Sequence, residues 1–240
     1  MTIRQEVLAF VREATKWIDP RSVAVALDVG SLDGEVSRHF RSLFPRSRIC
    51  AFECNPAALE TCRRTLGGLD RAQLVEAAVC DSDGEVEFHP IDPGRTRTPH
   101  PDGNIGASSL FLAAPGYPHE RYAQSTIRVP SLRLDTWAAG AGISAVDLLW
   151  MDVQGAELLV LRGMGGLLSS VRIIHTEVEF KPMYEGQPLF SEVDTFLREA
   201  GFVRRATMYR DDWFGNLVYV RGDIVRRPFL PWLASRLRVW

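Results

Sequence analysis

The sequence has no surplus of positive charge and no long apolar run. Its 240 residues include 28 Lys and Arg against 30 Asp and Glu, a formal net charge of −2. Nucleic-acid-binding proteins usually carry a basic excess, so this balance disfavours a nucleic-acid partner. No apolar stretch approaches the ~20 residues of a transmembrane helix, which disfavours integral membrane association. The composition is that of an ordinary globular protein.

Cysteine is scarce and lacks the spacing of a metal site. The four cysteines stand at positions 50, 54, 62 and 80, and no two of them form a CxxC pair. Structural zinc sites use such pairs, so the spacing disfavours a zinc-binding fold. The N-terminus also shows no signal-peptide pattern. We therefore expect four reduced thiols in a cytoplasmic protein.

The sequence does contain a regular alternation of apolar runs and helical stretches. Five apolar runs, predicted to be strands, lie at residues 23–29, 49–52, 74–79, 147–153 and 171–178. Strands that alternate with helices at this spacing predict βαβ units and a parallel sheet. A helix is predicted at residues 2–18, ahead of the first strand, and another at residues 156–168. Two extended runs, 203–209 and 216–220, predict an antiparallel hairpin at the edge of the sheet.

Two segments do not follow this alternation of strands and helices. Residues 89–125 are crowded with proline and glycine, and a long irregular segment inside a compact domain is usually a functional loop or lid. Residues 222–240 form an apolar and basic tail, which we expect to pack on its own domain or to contact a second copy in a homodimer. We expect residues 1–240 to form one domain, with the N-terminal helix inside residues 1–20.

The most specific motif is DVGSLDG at residues 28–34, between the first predicted strand and a helix. Glycine lets the backbone approach a ligand closely, and a helix N-terminus offers free N–H donors. The glycine spacing differs from the GxGxxG of nicotinamide-dependent enzymes, in which the third glycine allows a pyrophosphate to pass. S-adenosylmethionine has no phosphate, and its ammonium group suits an acidic residue such as Asp28. The motif therefore favours S-adenosylmethionine.

Two further segments fit the same ligand. The second strand ends at Glu53, one strand-helix-strand unit after Asp28. An acidic residue at this place can accept hydrogen bonds from both ribose hydroxyls. The third strand contains the small residue Ala78 near its end, where an apolar wall suits the face of an adenine ring. Together the three segments predict a nucleoside site at the carboxyl ends of the first three strands.

The segment DLLWMDVQGAELLVLRG at residues 147–163 completes a pattern that resembles the FkbM family of methyltransferases. The resemblance covers roughly residues 23–205. It includes DVGSLDG, AFECNP, SLRLDTW, and IIHTEV followed by MYEG. It implies a class I methyltransferase fold, which is a Rossmann-like α/β fold with a mostly parallel seven-stranded sheet flanked by helices. It also implies S-adenosylmethionine as the donor and an oxygen acceptor on a sugar, polyketide or other metabolite.

Carried over to this chain, the resemblance implies a set of cofactor residues. The methionine end would contact Asp28, Gly30, Ser31 and Gly34. Glu53 would hold the ribose and Ala78 would border the adenine. The remaining candidates for the cofactor site are Asp33, Cys54 and Asp152. Many members of the family have Lys at the position of Trp150, and we expect this departure to affect the substrate pocket.

The chemistry requires a group that activates the acceptor hydroxyl. An alcohol holds its proton nearly as tightly as water, whose pKa is about 15.7, so the site needs a general base, a metal, or both. Asp152 and Glu177 end two strands that we expect to be neighbours, where they can share a proton or a divalent cation such as Mg²⁺. His175 shares a strand face with Glu177 and is a further candidate base. Structural roles stay open for all three residues.

The expected function is methyl transfer to a hydroxyl of a saccharide or glycosylated metabolite. An N-methyltransferase is the alternative within enzymes. Many of those enzymes carry an Asn/Asp-Pro-Pro-aromatic tetrapeptide where this chain has DVQG at residues 152–155, which disfavours that alternative. A non-catalytic module that binds S-adenosylmethionine is the alternative outside enzymes, and it would leave Asp152 dispensable.

Overall fold

A computed structural model of the chain describes residues 2–226. Most of the predicted C-terminal tail, residues 222–240, therefore lies outside the described residues, and only its first turn, α7 (Gly222–Val225), is described. Packing of the tail on its own domain or on a second copy stays a prediction. Within residues 2–226, no helix has the length and apolarity needed to cross a membrane.

Within residues 2–226, ten strands form two sheets. In chain order they are β1 (Val25–Val29), β2 (Arg48–Phe52), β3 (Ala72–Val75), β4 (Ala78–Val79), β5 (Gly84–Phe88), β6 (Ile127–Leu132), β7 (Leu148–Met151), β8 (Ile173–Glu179), β9 (Phe202–Arg210) and β10 (Phe214–Arg221). The main sheet has seven strands in the order β3-β2-β1-β7-β8-β10-β9. Its first five strands run parallel, whereas β10 is antiparallel to both β8 and β9. This confirms the predicted seven-stranded sheet with an antiparallel edge hairpin.

Helices cover both faces of the main sheet. They are α1 (Ile3–Ala14), α2 (Glu35–Leu43), α3 (Pro56–Leu66), α4 (Leu134–Gly140), α5 (Glu157–Gly163) and α6 (Phe190–Glu199), in addition to α7. On one face, Phe10 of α1 and Phe40 of α2 pack against Trp150. On the other face, buried side chains of α4, α5 and α6 pack against the strands, among them Leu158 and Leu197. The apolar strands are thus buried from both sides, as their continuous hydrophobic runs predict.

The strand predicted at residues 74–79 is wrong as a single element. The chain pairs with β2 only as far as Val75 and then bends, with the Ala77 N–H donating to the Val75 carbonyl oxygen at 3.1 Å. Ala78 and Val79 instead form β4, which pairs with β6 in a second, three-stranded sheet of order β4-β6-β5. An apolar run shows burial but not which neighbour the strand will pair with, so the break had no signal in the sequence.

The helix predicted at residues 156–168 is also shorter than expected. It ends at Gly163 and continues as a 3₁₀ turn over Gly165–Ser170. Gly163 lies so close to the main chain of Cys80 that a Cβ there would be 2.1 Å from the Cys80 carbonyl oxygen. The helix therefore stops where its backbone touches the end of β4.

The 89–125 insertion folds back across the carboxyl edge of the main sheet. Isolated bridges join His89 to Ser109, Ile91 to Gln124, Arg97 to Arg121, and Ala113 to Tyr184. A 3₁₀ turn at Ile105–Ala107 lies near its centre. These links give the insertion a definite path over the sheet, while its expected motion as a lid stays a prediction.

Candidate active site

A cleft opens at the carboxyl ends of β1, β2, β4 and β7, with the insertion on its far side. It holds about 550 Å³ of space between protein atoms when its open mouth is counted. Its lining includes Gly30, Glu53, Cys54, Ala78, Ser108 and Asp152. The cleft thus brings together five of the candidate cofactor residues, because parallel strands end at the same edge of a sheet.

Gly30 is where the loop after β1 touches the end of β7. Its φ is +80°, a conformation that side chains other than glycine rarely adopt. A Cβ at this position would lie 1.9 Å from the main-chain oxygen of Asp152. The Gly30 N–H donates to the Phe52 carbonyl oxygen at 3.0 Å, which ties the same loop to the end of β2. Glycine is therefore required here for the loop to lie along the cleft.

Asp28 lies beneath the loop and is fully buried. The hydroxyls of Ser31 and Ser37 donate to its Oδ2 at 2.7 and 2.6 Å. Burial raises the pKa of Asp28 to about 6, although both hydroxyls oppose the shift. The Asp28 side chain is outside the set that lines the cleft. Its geometry supports a role in positioning the glycine loop, and the contact with an ammonium group stays a prediction.

The remaining residues of the motif build the start of α2. Asp33 is partly exposed, and its Oδ1 accepts the Glu35 N–H at 3.0 Å. Gly34 has a φ of +81° directly before the helix. Ser31, by contrast, is buried with its hydroxyl on Asp28. None of these three is among the residues that line the cleft, so a direct cofactor contact from any of them stays a prediction.

Glu53 is the carboxylate that faces the cleft at the end of β2. Its Oε2 accepts the Leu32 N–H at 2.7 Å, and its Oε1 accepts the N–H groups of Cys54 and Asn55 at 2.8 and 2.7 Å. Burial raises the pKa of Glu53 to about 7, and the three N–H groups only partly oppose this. The side chain is therefore held in one orientation and stays close to its ionisation point at neutral pH. Such a carboxylate can accept ribose hydroxyls.

The insertion closes the cleft on the side predicted for adenine. Asn55 joins it to the site, because its Nδ2 donates to the Ser108 hydroxyl at 3.1 Å and to the Ile105 carbonyl oxygen at 3.3 Å. Opposite lies a wall of small and apolar side chains that includes Ala78, Cys54 and Phe88. This arrangement has the shape and polarity that suit a flat heterocycle.

Asp152 and Glu177 are linked by one side-chain amide. The Nε2 of Gln154 donates to Asp152 Oδ1 at 2.7 Å and to Glu177 Oε1 at 2.9 Å. The Oε1 of Gln154 accepts the Tyr184 hydroxyl at 2.9 Å, and its main-chain oxygen accepts the Ser109 hydroxyl at 2.6 Å. The sequence-based prediction missed Gln154. Its only local signal is its place before Gly155, in a turn where both residues have positive φ.

The two carboxyls belong to a buried acidic cluster. Burial is the largest cause that raises the pKa of Asp152, of Glu177 and of the neighbouring Glu179, and repulsion between the carboxylates adds to it. Glu157 is part of the same cluster, with a pKa of about 7. Near neutral pH the cluster therefore keeps protons that isolated carboxyls would lose. A group of this kind can exchange a proton with a bound acceptor.

His175 does not reach the cleft. Its ring is 1% exposed and stacks on Trp150, with centroids 3.5 Å apart and planes 7° apart. Phe10 meets the ring edge-on at 5.7 Å, and His175 Nε2 lies 3.3 Å from Glu6 Oε1 of α1. It shares a strand face with Glu177 as predicted, but it lies further back toward the core. The geometry therefore gives no support to His175 as the general base.

Trp150 has the same buried location. It is 2% exposed and packs edge-on against Phe10 and Phe40 under α1 and α2. Trp150 thus lies in the core and outside the residues that line the cleft, and an effect of this departure on the substrate pocket stays a prediction.

Asp152 and Glu177, here called the acid pair, do not fit the predicted Mg²⁺ site. The Gln154 amide donates hydrogen bonds to both carboxyls, where a shared cation would have to lie. Within residues 2–226, no three His, Cys, Asp or Glu side chains are arranged to hold a metal ion. Asp152 and Glu177 are thus joined by a hydrogen-bond donor.

The fold and the cleft together define a class I methyltransferase. The profile of the Methyltransferase FkbM domain matches residues 28–204. The chain belongs to the FkbM family of methyltransferases and uses S-adenosylmethionine. It is similar to the 2-O-methyltransferase NoeI of Sinorhizobium fredii (strain NBRC 101917 / NGR234), with 38% identity over 172 residues, 71% of this chain and 70% of the relative. Methyltransferase 1 of Beauveria bassiana (strain ARSEF 2860) is 26% identical over 199 residues, which cover 78% of this chain and 74% of the relative.

Solved structures show the same fold at low sequence identity. Cofactor-bound Rv0187 from MTB superimposes with a TM-score of 0.52 at 14% identity, covering 92% of this chain and 81% of that one. Aeropyrum pernix fibrillarin in complex with natively bound S-adenosyl-L-methionine has a TM-score of 0.50 at 12% identity, covering 88% of this chain and 74% of that one. These likenesses support the class I architecture.

Proposed function

We propose that this chain transfers the methyl group of S-adenosylmethionine to a hydroxyl of a saccharide or glycosylated metabolite. The observation that carries the proposal is the acid pair, in which Asp152 lines the cleft and shares the Gln154 amide with Glu177. An alcohol must lose a proton as it attacks, and a carboxylate with a raised pKa is a stronger base than one in water. The relative that is 38% identical carries the name 2-O-methyltransferase, which favours oxygen over nitrogen as the acceptor atom.

The cofactor residues fit S-adenosylmethionine. Gly30 lets the loop after β1 lie against the Asp152 main chain at the edge of the cleft, Glu53 presents a fixed carboxylate, and Ala78 borders an apolar wall. When bound, S-adenosylmethionine supplies an electrophilic methyl group on its sulfonium sulfur. The chain's own task is then to align the acceptor hydroxyl with that methyl, and alignment alone can contribute about 7–11 kcal/mol.

In this proposal Asp152 takes the proton. Its Oδ1 accepts the Gln154 amide, which leaves Oδ2 for the acceptor hydroxyl. Glu177 accepts a hydrogen bond from the same amide, and burial together with the charge of Asp152 raises its pKa. Gln154 is a positioning residue, because it holds both carboxyls and is itself held by Tyr184 and Ser109.

The decisive experiment measures methyl transfer from tritiated S-adenosylmethionine to a panel of methyl pyranosides and short oligosaccharides, with products identified by the mass of one added CH₂. We expect Asp152→Asn to lower kcat by ~10²–10⁴-fold, the usual contribution of a general base, while the Kd for S-adenosylmethionine stays within a few-fold. Asp147→Asn is the matched control, because Asp147 precedes β7 at its opposite end and accepts the main-chain N–H groups of Ala24 and Val25.

Two results would contradict the proposal. If Asp152→Asn keeps its kcat, the base lies elsewhere. If the wild-type chain binds S-adenosylmethionine but methylates no hydroxyl in the panel, the non-catalytic module is favoured over the saccharide methyltransferase.

We further infer a cytoplasmic location from the cysteines. Cys50, Cys62 and Cys80 are buried, Cys54 is partly buried, and all four are free thiols. Free thiols are typical of a reducing compartment. Fractionation of the cells that express the chain tests this.

A further inference from the structure

A cluster of aromatic side chains lies at the carboxyl edge of the main sheet. It joins the 89–125 insertion to the turn between β9 and β10. Tyr117 is at its centre, with its ring centroid 5.2 Å from Trp213, 6.0 Å from Tyr122 and 5.4 Å from His119. Tyr117, Tyr122 and Trp213 are each only partly buried, so a part of each side chain faces solvent.

The cluster adjoins the acid pair through stacked rings. Tyr122 lies parallel to the buried Tyr184, with centroids 6.4 Å apart and planes 13° apart. The Tyr184 hydroxyl donates to Gln154 Oε1, and the Gln154 amide holds Asp152 and Glu177. Only one tyrosine therefore separates the cluster from the residue that joins the two carboxyls.

Trp213 is fixed beside the strand that carries Glu177. Its main-chain oxygen accepts the Phe180 N–H at 2.6 Å, directly after the end of β8. The Trp213 N–H donates to Asp211 Oδ1 at 2.7 Å, which holds the turn in shape. The hairpin turn thus brings an indole ring to the side of the site opposite the glycine loop.

Negative charge acts on Tyr117. Burial raises the pKa of Tyr117 to about 12, and the negative charges of Glu120, Asp211 and Glu177 add to this shift. The surface therefore combines aromatic rings with hydrogen-bond acceptors. The ammonium of Lys181 lies 5.0 Å from the centroid of the Trp213 ring, so a cationic ligand would be repelled at this ring. A neutral ligand rich in hydroxyls matches both features.

A pyranose ring has this chemistry. Its C–H faces are apolar and pack on aromatic rings, while the hydroxyls at its rim donate to carboxylates. We propose that Tyr117 and Trp213 form an acceptor subsite beside the acid pair, with a pyranose ring packed on their side chains. This inference rests on the proposed function and names the residues that would select a saccharide.

The subsite is tested by saturation-transfer NMR on the full chain loaded with S-adenosylhomocysteine, with methyl pyranosides as probes. We expect saturation of ring C–H protons in the wild type and its loss in Trp213→Leu and Tyr117→Ala. Steady-state assays use as acceptor a pyranoside that the wild type methylates. Both variants should raise the KM for this acceptor by about tenfold or more, about 1.4 kcal/mol. Tyr117→Phe should restore binding, because packing requires the ring and not the hydroxyl.

Trp17→Leu is the matched control. Trp17 is also partly buried and also lies under a cation, with Arg205 at 4.6 Å from its ring, but it packs on the α1 face of the sheet. It should leave pyranoside binding unchanged. All variants should keep their Kd for S-adenosylmethionine, which shows that they fold.

The outcomes separate this inference from the proposed function. If the wild type methylates a pyranoside and Trp213→Leu and Tyr117→Ala leave its KM unchanged, the subsite is wrong while the proposed function stands. If p-cresol or cyclohexanol binds the aromatic cluster more tightly than every pyranoside, the saccharide class is wrong. If no hydroxyl of any kind is methylated, the proposed function itself fails.

Discussion

The pH dependence of nucleoside binding should report on Glu53. Its pKa of about 7 is far above the 4.5 that is usual for a glutamate side chain, because burial outweighs three main-chain N–H donors. A carboxylate can accept both ribose hydroxyls only when it is ionised. With that pKa, Glu53 is roughly one-tenth ionised at pH 6 and roughly nine-tenths ionised at pH 8. We therefore expect affinity to rise nearly tenfold between these values, about 1.4 kcal/mol, and to level off above them.

Isothermal calorimetry with 5′-methylthioadenosine measures this change most directly. The ligand keeps the adenine and the ribose but lacks the amino acid end, so the ligand itself does not titrate over this range. Glu53→Gln keeps the size of the side chain and removes its ionisation. It should bind more weakly at pH 8 by about tenfold or more, since two charge-assisted hydrogen bonds contribute ~1.5–3 kcal/mol each, and its affinity should not change with pH.

Two results would refute this reasoning. An equal pH dependence in Glu53→Gln would assign the titration to another group, such as Asp28 with its pKa of about 6. An affinity that is flat with pH in the wild type would show that the ribose does not contact Glu53.

Two further predictions concern the loop and the acid pair. Gly30→Ala should abolish binding of S-adenosylmethionine in calorimetry and lower the Tm, because its Cβ would lie 1.9 Å from the Asp152 oxygen at a φ of +80°; unchanged binding would show that the loop can move aside. Glu177→Gln should raise the Tm at pH 8 by at least ~2 °C, the change that ~1 kcal/mol produces in a domain of this size, and should leave it unchanged near pH 4. The reason is that the pKa of Glu177 is raised in the folded state, so the stability contributed by its retained proton is present at low pH and is lost as the pH rises through the folded pKa. An equal Tm for the two proteins at pH 8 would contradict the assigned direction of the shift.

Local patterns in the sequence were enough to predict the framework. Apolar runs alternating with helical stretches predicted the parallel sheet and its edge hairpin, because burial on both faces demands continuous hydrophobic strands. The motif at residues 28–34 predicted the glycine loop, since positive φ and close packing at Gly30 allow no other residue. Glu53 was predicted from its place at the end of the second strand. The alternation of strands and helices along the sequence is enough to locate that strand end.

Tertiary structure decided which side chains meet. Asp28 and His175 are residue types that often bind ligands or protons. In the structure Asp28 lies under the glycine loop and accepts a hydrogen bond from Ser37 of α2, whereas His175 faces Glu6 of α1. Both orientations depend on packing against other elements. Gln154 became central only because β7 and β8 are neighbours and Tyr184 folds back onto it. Tyr117 and Trp213 are distant in sequence, and contacts of this kind depend on the path of two loops. Strand and helix periodicity describe burial along one element, whereas a site requires the relative positions of several.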